Sequence, residues 1–171
     1  MAWKIQINRA KPNPAGKDKS GNVPLAEQLL GEWVDLVNVG DGSVTLSSIH
    51  LSNLEFGTNC EPKQSVIYWN GPSAITLKPN ESVRVHTGRS RDLASIKAAD
   101  RVGTTYRSFA ERGLFVLNNR CGDTLTVWWK HDGKWNMDDQ ASYLANPPEG
   151  AVLSRVASLL KATQTAGGVI R

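Results

Sequence analysis

Leu114-Phe-Val-Leu-Asn-Asn-Arg-Cys-Gly-Asp-Thr-Leu-Thr-Val-Trp-Trp129 is the stretch on which the fold class turns. In its second half Leu125, Val127 and Trp129 share one parity, while Thr126, Trp128 and Lys130 share the other. That alternation is the mark of a strand with one buried face. The first set is expected to face a core and Trp128 to point outward. Immediately beyond, His131-Asp-Gly-Lys134 carries the Asp-Gly pair that a two-residue hairpin turn prefers, because both central residues need positive φ. A partner strand is therefore expected from Trp135 onward, and Leu114 to Leu117 reads as a further short strand upstream.

Similar patterns recur toward the N-terminus. Trp3, Ile5 and Ile7 alternate with Lys4, Gln6 and Asn8, as a first strand would. From Glu32, Trp33 alternates against Val34 and Leu36, and Gly40-Asp-Gly42 leads into Val44 to Leu51, which predicts two antiparallel strands joined by a tight reversal. Between them and the N-terminal strand, Leu25 to Leu30 is expected to form one helical turn. Residues 55–71 contain Ser65 to Trp69, an extra strand or hairpin, and the Lys78-Pro-Asn-Glu81 turn separates strands at Ala74 to Leu77 and Ser82 to His86. Residues 92–112 read as an insertion with a short helix and an irregular stretch. Seven to nine short strands at such spacing predict an all-β sandwich.

The β pattern stops at Asn146-Pro-Pro-Glu149, since consecutive prolines cannot donate ladder hydrogen bonds. This divides the chain into a sandwich over 1–146 and an extension over 147–171. Val152, Val156, Leu159 and Leu160 fall at i, i+4, i+7 and i+8, which predicts an amphipathic helix from Glu149 to Ala162. With 171 residues, 40% of them hydrophobic, the chain suits one domain with an appendage. The formal charge of +4 makes the surface mildly basic. The opening residues lack the apolar run of a signal peptide or membrane span, so a cytosolic protein is expected. Cys60 and Cys121 lie far apart without CxxC spacing and are expected to be reduced thiols, with no zinc or redox motif.

Taken together, Gly31-Glu-Trp-Val-Asp-Leu-Val-Asn38, Arg84-Val-His-Thr-Gly-Arg-Ser-Arg-Asp92 and the 114–129 stretch resemble, in order and spacing, the lamin-tail domain. The resemblance covers roughly Trp3 to Tyr143, with Glu32-Trp33-Val34 and Gly122-Asp123-Thr124-Leu125-Thr126 as its most specific matches. It implies an immunoglobulin-like antiparallel sandwich with Trp33 as a core tryptophan. It also implies a non-catalytic role: lamin tails bind chromatin and protein partners, and bacterial copies often accompany hydrolases without being the catalytic domain. A fold hosts many functions, so the implication stops at architecture and a binding or assembly role.

No side-chain pattern argues for catalysis. His50, His86 and His131 lack metal-ligand spacing, so neither a metal nor another cofactor is expected. Asp123, Asp132, Asp138 and Asp139 sit near turns, where aspartate caps local N–H groups. Ser47 and Ser48 lack a Gly-x-Ser-x-Gly elbow, and there is no phosphate loop. Arg84, Arg89, Arg91, Lys97, Arg101, Arg107 and Arg112 crowd one stretch, and Lys130 and Lys134 flank Trp128, Trp129 and Trp135. Arg89, Arg91, Arg101, Arg107 and Lys130 are thus the candidates for phosphate contact in a nucleic-acid reading. Asp92, Asp100 and Glu111 are interspersed, and ion pairs on a solvated face account for the same pattern. Partner-binding candidates are the outward Trp128 and the helix face of Val152, Val156, Leu159 and Leu160. The expectation is a cytosolic, non-enzymatic protein-interaction or assembly module. A nucleic-acid-associated module, or a component of a shell, tail or filament, are the alternatives. Protein partners or self-association are expected, and neither a membrane nor a small-molecule substrate.

Overall fold

A computed structural model describes residues 4–162. Trp3 of the expected first strand and the small-residue end from Thr163 to Gly168 lie outside them. The chain is all-β in its main architecture. Its first half holds β1 (Ile5–Lys11), β2 (Lys19–Ser20), β3 (Val23–Pro24), α1 (Ala26–Gly31), β4 (Trp33–Asn38), β5 (Val44–Thr45), β6 (Ile49–Phe56) and β7 (Pro62–Asn70). The second half holds β8 (Thr76–Leu77), β9 (Ser82–His86), β10 (Tyr106–Phe109), β11 (Asp123–His131), β12 (Lys134–Tyr143), β13 (Leu153–Val156) and β14 (Leu159–Ala162).

Ten of these strands make one continuous ladder in the order β10-β9-β4-β1-β13-β14-β12-β11-β6-β7. Side chains draw its two end strands together: Trp69 Nε1 on β7 donates to Ser108 Oγ on β10 at 3.0 Å. The sheet therefore curls almost into a closed barrel. Period-two alternation fills its interior with Ile5, Ile7, Val34, Leu36, Ile49, Leu51, Trp69, Val83, Val85, Leu125 and Val127, all buried. The β11–β12 hairpin turns at Asp132 and Gly133 with φ of 49° and 75°, as the Asp-Gly pair predicts. Trp129 packs against the core beside Leu125 and Val127, as its parity requires.

Several expectations are corrected. Glu149 to Ala162 is no helix: β13 and β14 form an antiparallel hairpin about Ala157 and Ser158, with Ala157 at φ 54°. Leu153 and Leu160 are buried, whereas Val156 is 52% exposed and Val152 and Leu159 half-buried, so the four apolar residues share no face. The ladder decides this, because β13 pairs with β1 and β14 with β12, so the backbone groups of the hairpin join the sheet and Leu153 and Leu160 are buried. Val44 to Leu51 is broken by a 3-10 turn at Leu46–Ser48, and β4 pairs with β1 and β9 instead of with its successor. Leu114 to Leu117 forms a loop, and residues 92–112 carry two 3-10 turns and β10. Cys60 and Cys121 form a disulfide, with Cα atoms 5.3 Å apart, that ties the β6–β7 loop to the segment before β11. They are not free thiols.

Candidate functional site

Both faces of β4 are covered, which changes the meaning of its tryptophan. Val34 and Leu36 point into the barrel, so Trp33 and Asp35 point away from it, yet both are buried. The 3-10 turns of the insertion roof them over. Arg84 holds this roof: its Nη1 donates to the carbonyls of Asp100 and Val102, while Nε and Nη2 grip Asp35 at 2.7 and 2.9 Å. The guanidinium lies 3.6 Å above the Trp33 ring, whose Nε1 donates to Asp100 Oδ1 at 2.9 Å. Lys11 pairs with the same Asp100 oxygen, and Arg9 with Asp35. Trp33 is thus buried, as the resemblance implied, and it anchors a second, polar layer beside the main apolar cluster.

That arrangement also redistributes the arginines. Arg101 donates to the carbonyls of Ile96 and Ala94, and Arg107 to the carbonyl of Arg101. Arg112 donates to Tyr68 O from both Nε and Nη2. These side chains pin loops through backbone carbonyls, and the expected pairing with interspersed carboxylates is not what holds them. Asp100 pairs with Lys11, and Glu111 accepts from Ser90 N and Oγ. Arg89 is half-buried and Arg91 exposed. Lys130 belongs to the β11–β12 hairpin, away from the insertion that carries the arginines.

At one end of the barrel, five elements converge on a polar layer that no sequence spacing announces. Glu32, fully buried just before β4, accepts Thr87 Oγ1 at 2.7 Å, Val116 N at 2.9 Å and Leu117 N at 3.1 Å, all on Oε1. Burial pushes its carboxyl up to about 7 despite those hydrogen bonds. Asp123 on β11 accepts Leu54 N, Asn118 N and Asn53 Nδ2, and burial raises it too. Together the two carboxylates hold down the 114–118 loop. Tyr68 on β7 and Tyr143 on β12 complete the layer; burial, followed by the charges of Glu32 and Asp123, raises both phenols well above their usual value. Gly122, at φ 75°, passes so close to the Tyr143 carbonyl that a Cβ there would clash, which fixes the approach to Asp123. Glu32 Oε2 and both tyrosine hydroxyls are buried with no hydrogen-bond partner among the described residues. A cleft of about 340 Å³ opens beside this layer, lined by Asn53, Leu54, Phe56, Val66, Tyr68, Arg112 and Val116 among others.

The outer face of β6, β7, β11 and β12 is the third feature. Trp128 lies on it, half-buried, with its Nε1 donating to Ser52 Oγ at 2.8 Å. Trp135 stacks on His50 with ring centroids 3.6 Å apart, and Lys130 Nζ lies 6.0 Å from the Trp135 ring. Met137 opposite Trp128 is 59% exposed, and Ile67 on β7 is 45% exposed. Val156, Leu159 and Leu160 lie apart on the C-terminal hairpin, where Leu159 and Leu160 help to line a smaller apolar recess of about 220 Å³ beside Pro147 and Pro148. Asp138 and Asp139 accept the N–H groups of Ile5 and Ile7 across from β1, and Arg155 closes on Asp139. His86 is buried neutral: its Nδ1–H donates to Leu30 O, and burial lowers it to about 4. Among the described residues no group of three His, Cys, Asp or Glu side chains is placed to hold a metal, and no helix is long and apolar enough to cross a membrane. The chain matches no known protein family and no curated protein.

Proposed function

We propose that this chain is a non-catalytic protein-interaction module, built on an immunoglobulin-like sandwich of the lamin-tail kind and working through the outer face of β6, β7, β11 and β12. The observation that carries the reading is the exposed apolar stripe of Trp135, Met137 and Ile67 around the half-buried Trp128, with the half-buried His50 stacked on Trp135. A rigid aromatic stack at solvent, rimmed by hydroxyls and Lys130, has the composition of an interface core and costs little side-chain entropy on docking. The all-β ladder and the order of the three sequence stretches support the family reading. The Cys60–Cys121 disulfide favours an oxidising compartment over the cytosol expected from the sequence.

The test is mass by light scattering over a concentration series for the full chain and for the double variant Trp135→Ala, Met137→Glu. A mass that rises with concentration in the native chain and stays at one protomer in the variant supports assembly through this face. A native mass that never exceeds one protomer, or a rise that the variant retains, refutes it.

A further inference from the structure

We propose that the free edge of β7 takes up an extended peptide as an added strand, running parallel to β7 and ending with its C-terminal carboxylate on Arg112. β7 is the terminal strand of the ladder and pairs there with β6. Trp69 and Ser108 draw it to β10 at one end, but among the described residues no backbone hydrogen bond outside the β6 pairing reaches Lys63 to Ile67. Those residues are all exposed, Val66 at 37% and Ile67 at 45%. Such an edge presents backbone donors and acceptors at the spacing a further strand matches. Natural sheets usually blunt an open edge with a proline or a charge. Here Pro62 and Lys63 stand at its start, and Gln64 to Ile67 carries neither.

Arg112 stands where the added strand would stop. Its Nε and Nη2 donate to the Tyr68 carbonyl at 3.2 and 2.9 Å, so the guanidinium fills the edge just beyond Ile67. Its backbone N–H donates to Thr87 O at 2.9 Å, which fixes the base of the side chain. The residue is exposed, and no ion pair among the described residues involves it. A guanidinium has five donors, so a held arginine with two of them committed to a carbonyl can still grip a carboxylate. At the other end of the stretch Glu55 lies opposite Gln64, whose Nε2 donates to its Oε2 at 3.0 Å. Glu55 and Arg112 both line the cleft of about 340 Å³, together with Val66 and Tyr68 of β7. The cleft is therefore acidic at its Gln64 end and basic at its Tyr68 end.

That polarity sets the direction of the peptide and the chemistry of its ends. A terminal carboxylate belongs at Arg112 and a basic side chain near Glu55, so the peptide runs the same way as β7. Gln64 to Tyr68 spans about 13 Å at about 3.3 Å per residue, the reach of about five peptide residues. Side chains alternate across a strand, so the last and third-last residues face the cleft with the basic one. Leu54, Phe56, Val66 and Val116 give them apolar wall. The partner is thus the extended C-terminus of a protein, apolar at those two positions and basic fifth from its end. The inference rests on the β7 edge and the cleft, and it and the outer-face reading each stand if the other fails.

The experiment is fluorescence anisotropy of the peptide Lys-Ser-Val-Ser-Val, labelled with fluorescein at its N-terminus, titrated with the full chain. One form ends in a free carboxylate and the other in an amide. The expected result is saturable binding of the acid below about 1 mM, with the amide at least about tenfold weaker. Arg112→Gln should weaken the acid about tenfold and leave the amide within about twofold, since the comparison isolates the pairing of carboxylate with guanidinium. Glu55→Gln should weaken the acid about threefold, and a peptide with alanine in place of its lysine should not register that substitution. Methylating the two serine nitrogens, or separately the two valine nitrogens, tests the ladder, because alternate residues turn their N–H groups toward β7. One methylated peptide should lose at least about tenfold in affinity and the other stay within about twofold. Equal binding of acid and amide, an Arg112→Gln variant that weakens both alike, or equal affinity of the two methylated peptides each overturns the proposal. So does the lack of saturable binding up to about 1 mM. Peptide binding that disappears at chain concentrations where the mass exceeds one protomer assigns the edge to a second copy of this chain, and likewise overturns it.

Discussion

Replacing Glu32 by glutamine should change the pH dependence of stability more than stability itself, because Glu32 and His86 oppose each other. In the folded chain burial holds Glu32 at about 7, against an ordinary carboxyl value of 4.5. Between those limits the folded state keeps a proton that the unfolded state has released, so this contribution is fully present below 4.5 and is lost as the pH rises through about 7. His86 is buried neutral, at about 4 against an ordinary 6.5. Between those limits the unfolded state takes up a proton that the folded state refuses, so its contribution is present above 6.5 and is lost as the pH falls through about 4. Each spans about 3 kcal/mol at about 1.4 kcal/mol per pH unit, with opposite slopes over nearly the same window. The native profile from this pair is therefore nearly flat across the overlap.

Glu32→Gln removes one slope and exposes the other. The amide oxygen can still accept Val116 N, Leu117 N and Thr87 Oγ1, and its NH2 takes the place of the orphaned Oε2. The variant should gain about 3 kcal/mol of stability relative to the native chain between pH 4.5 and 7, measured by urea unfolding followed through tryptophan fluorescence at half-unit steps. Asp123 and Asp138, both raised by burial, add slopes of Glu32's sign at lower pH that largely cancel in the difference between the two proteins. Parallel profiles for native chain and variant would refute the reasoning, since they would mean that Glu32 does not hold its proton through folding.

Removing the disulfide with Cys60→Ala and Cys121→Ala should cost up to about 4 kcal/mol, the chain-entropy value for a separation of 61 residues, and unfolding with and without a reductant should separate native chain from variant by the same amount. Arg84→Met should cost about 3 kcal/mol by calorimetry, because it strips Asp35 of its buried partner and frees the carbonyls of Asp100 and Val102, with Arg9 left as partial compensation. Gly122→Ala should cost about 2 kcal/mol or more, combining a positive φ with a clash at the Tyr143 carbonyl, and the Glu32 and Tyr143 resonances should shift with it.

How much of this was legible in the sequence follows from how local each signal is. The β11–β12 hairpin was readable because Asp132 and Gly133 specify a turn with their own backbone preferences. Ser82 to His86 and the helical turn near Leu25 to Leu30 were bounded by equally local cues. The C-terminal hairpin was not: Val152, Val156, Leu159 and Leu160 fit a helical stripe, and Ala157, which makes the turn at φ 54°, is no turn signal. Pairing with β1, about 145 residues earlier in the chain, overrode the local pattern. Alternation correctly put Trp33 and Val34 on opposite faces, but the roof over Trp33 is built by residues 98–103, and no window contains both. The disulfide and the layer of Glu32, Asn53, Tyr68, Asp123 and Tyr143 are invisible for the same reason, being assembled from one residue per element.

The two buried polar layers invite comparison, because they differ in what they leave undone. Around Trp33, three cations meet two carboxylates, Arg84 directs its donors at Asp35 and two carbonyls, and among the described residues Asp100 Oδ2 is the one buried side-chain atom of the group left without a hydrogen bond. Such a network explains itself: it fastens the insertion to the sheet, and removing a member costs stability. Around Glu32, among the described residues, two carboxylates meet no ion-pair partner and three buried side-chain atoms go without hydrogen bonds, and a cleft opens alongside. The first layer leaves one such atom and the second three, although natural cores rarely leave such groups unmet. The imbalance makes the barrel end the place where the protonation of buried groups most directly tests the fold, with the exposed face around Trp128 as the second target.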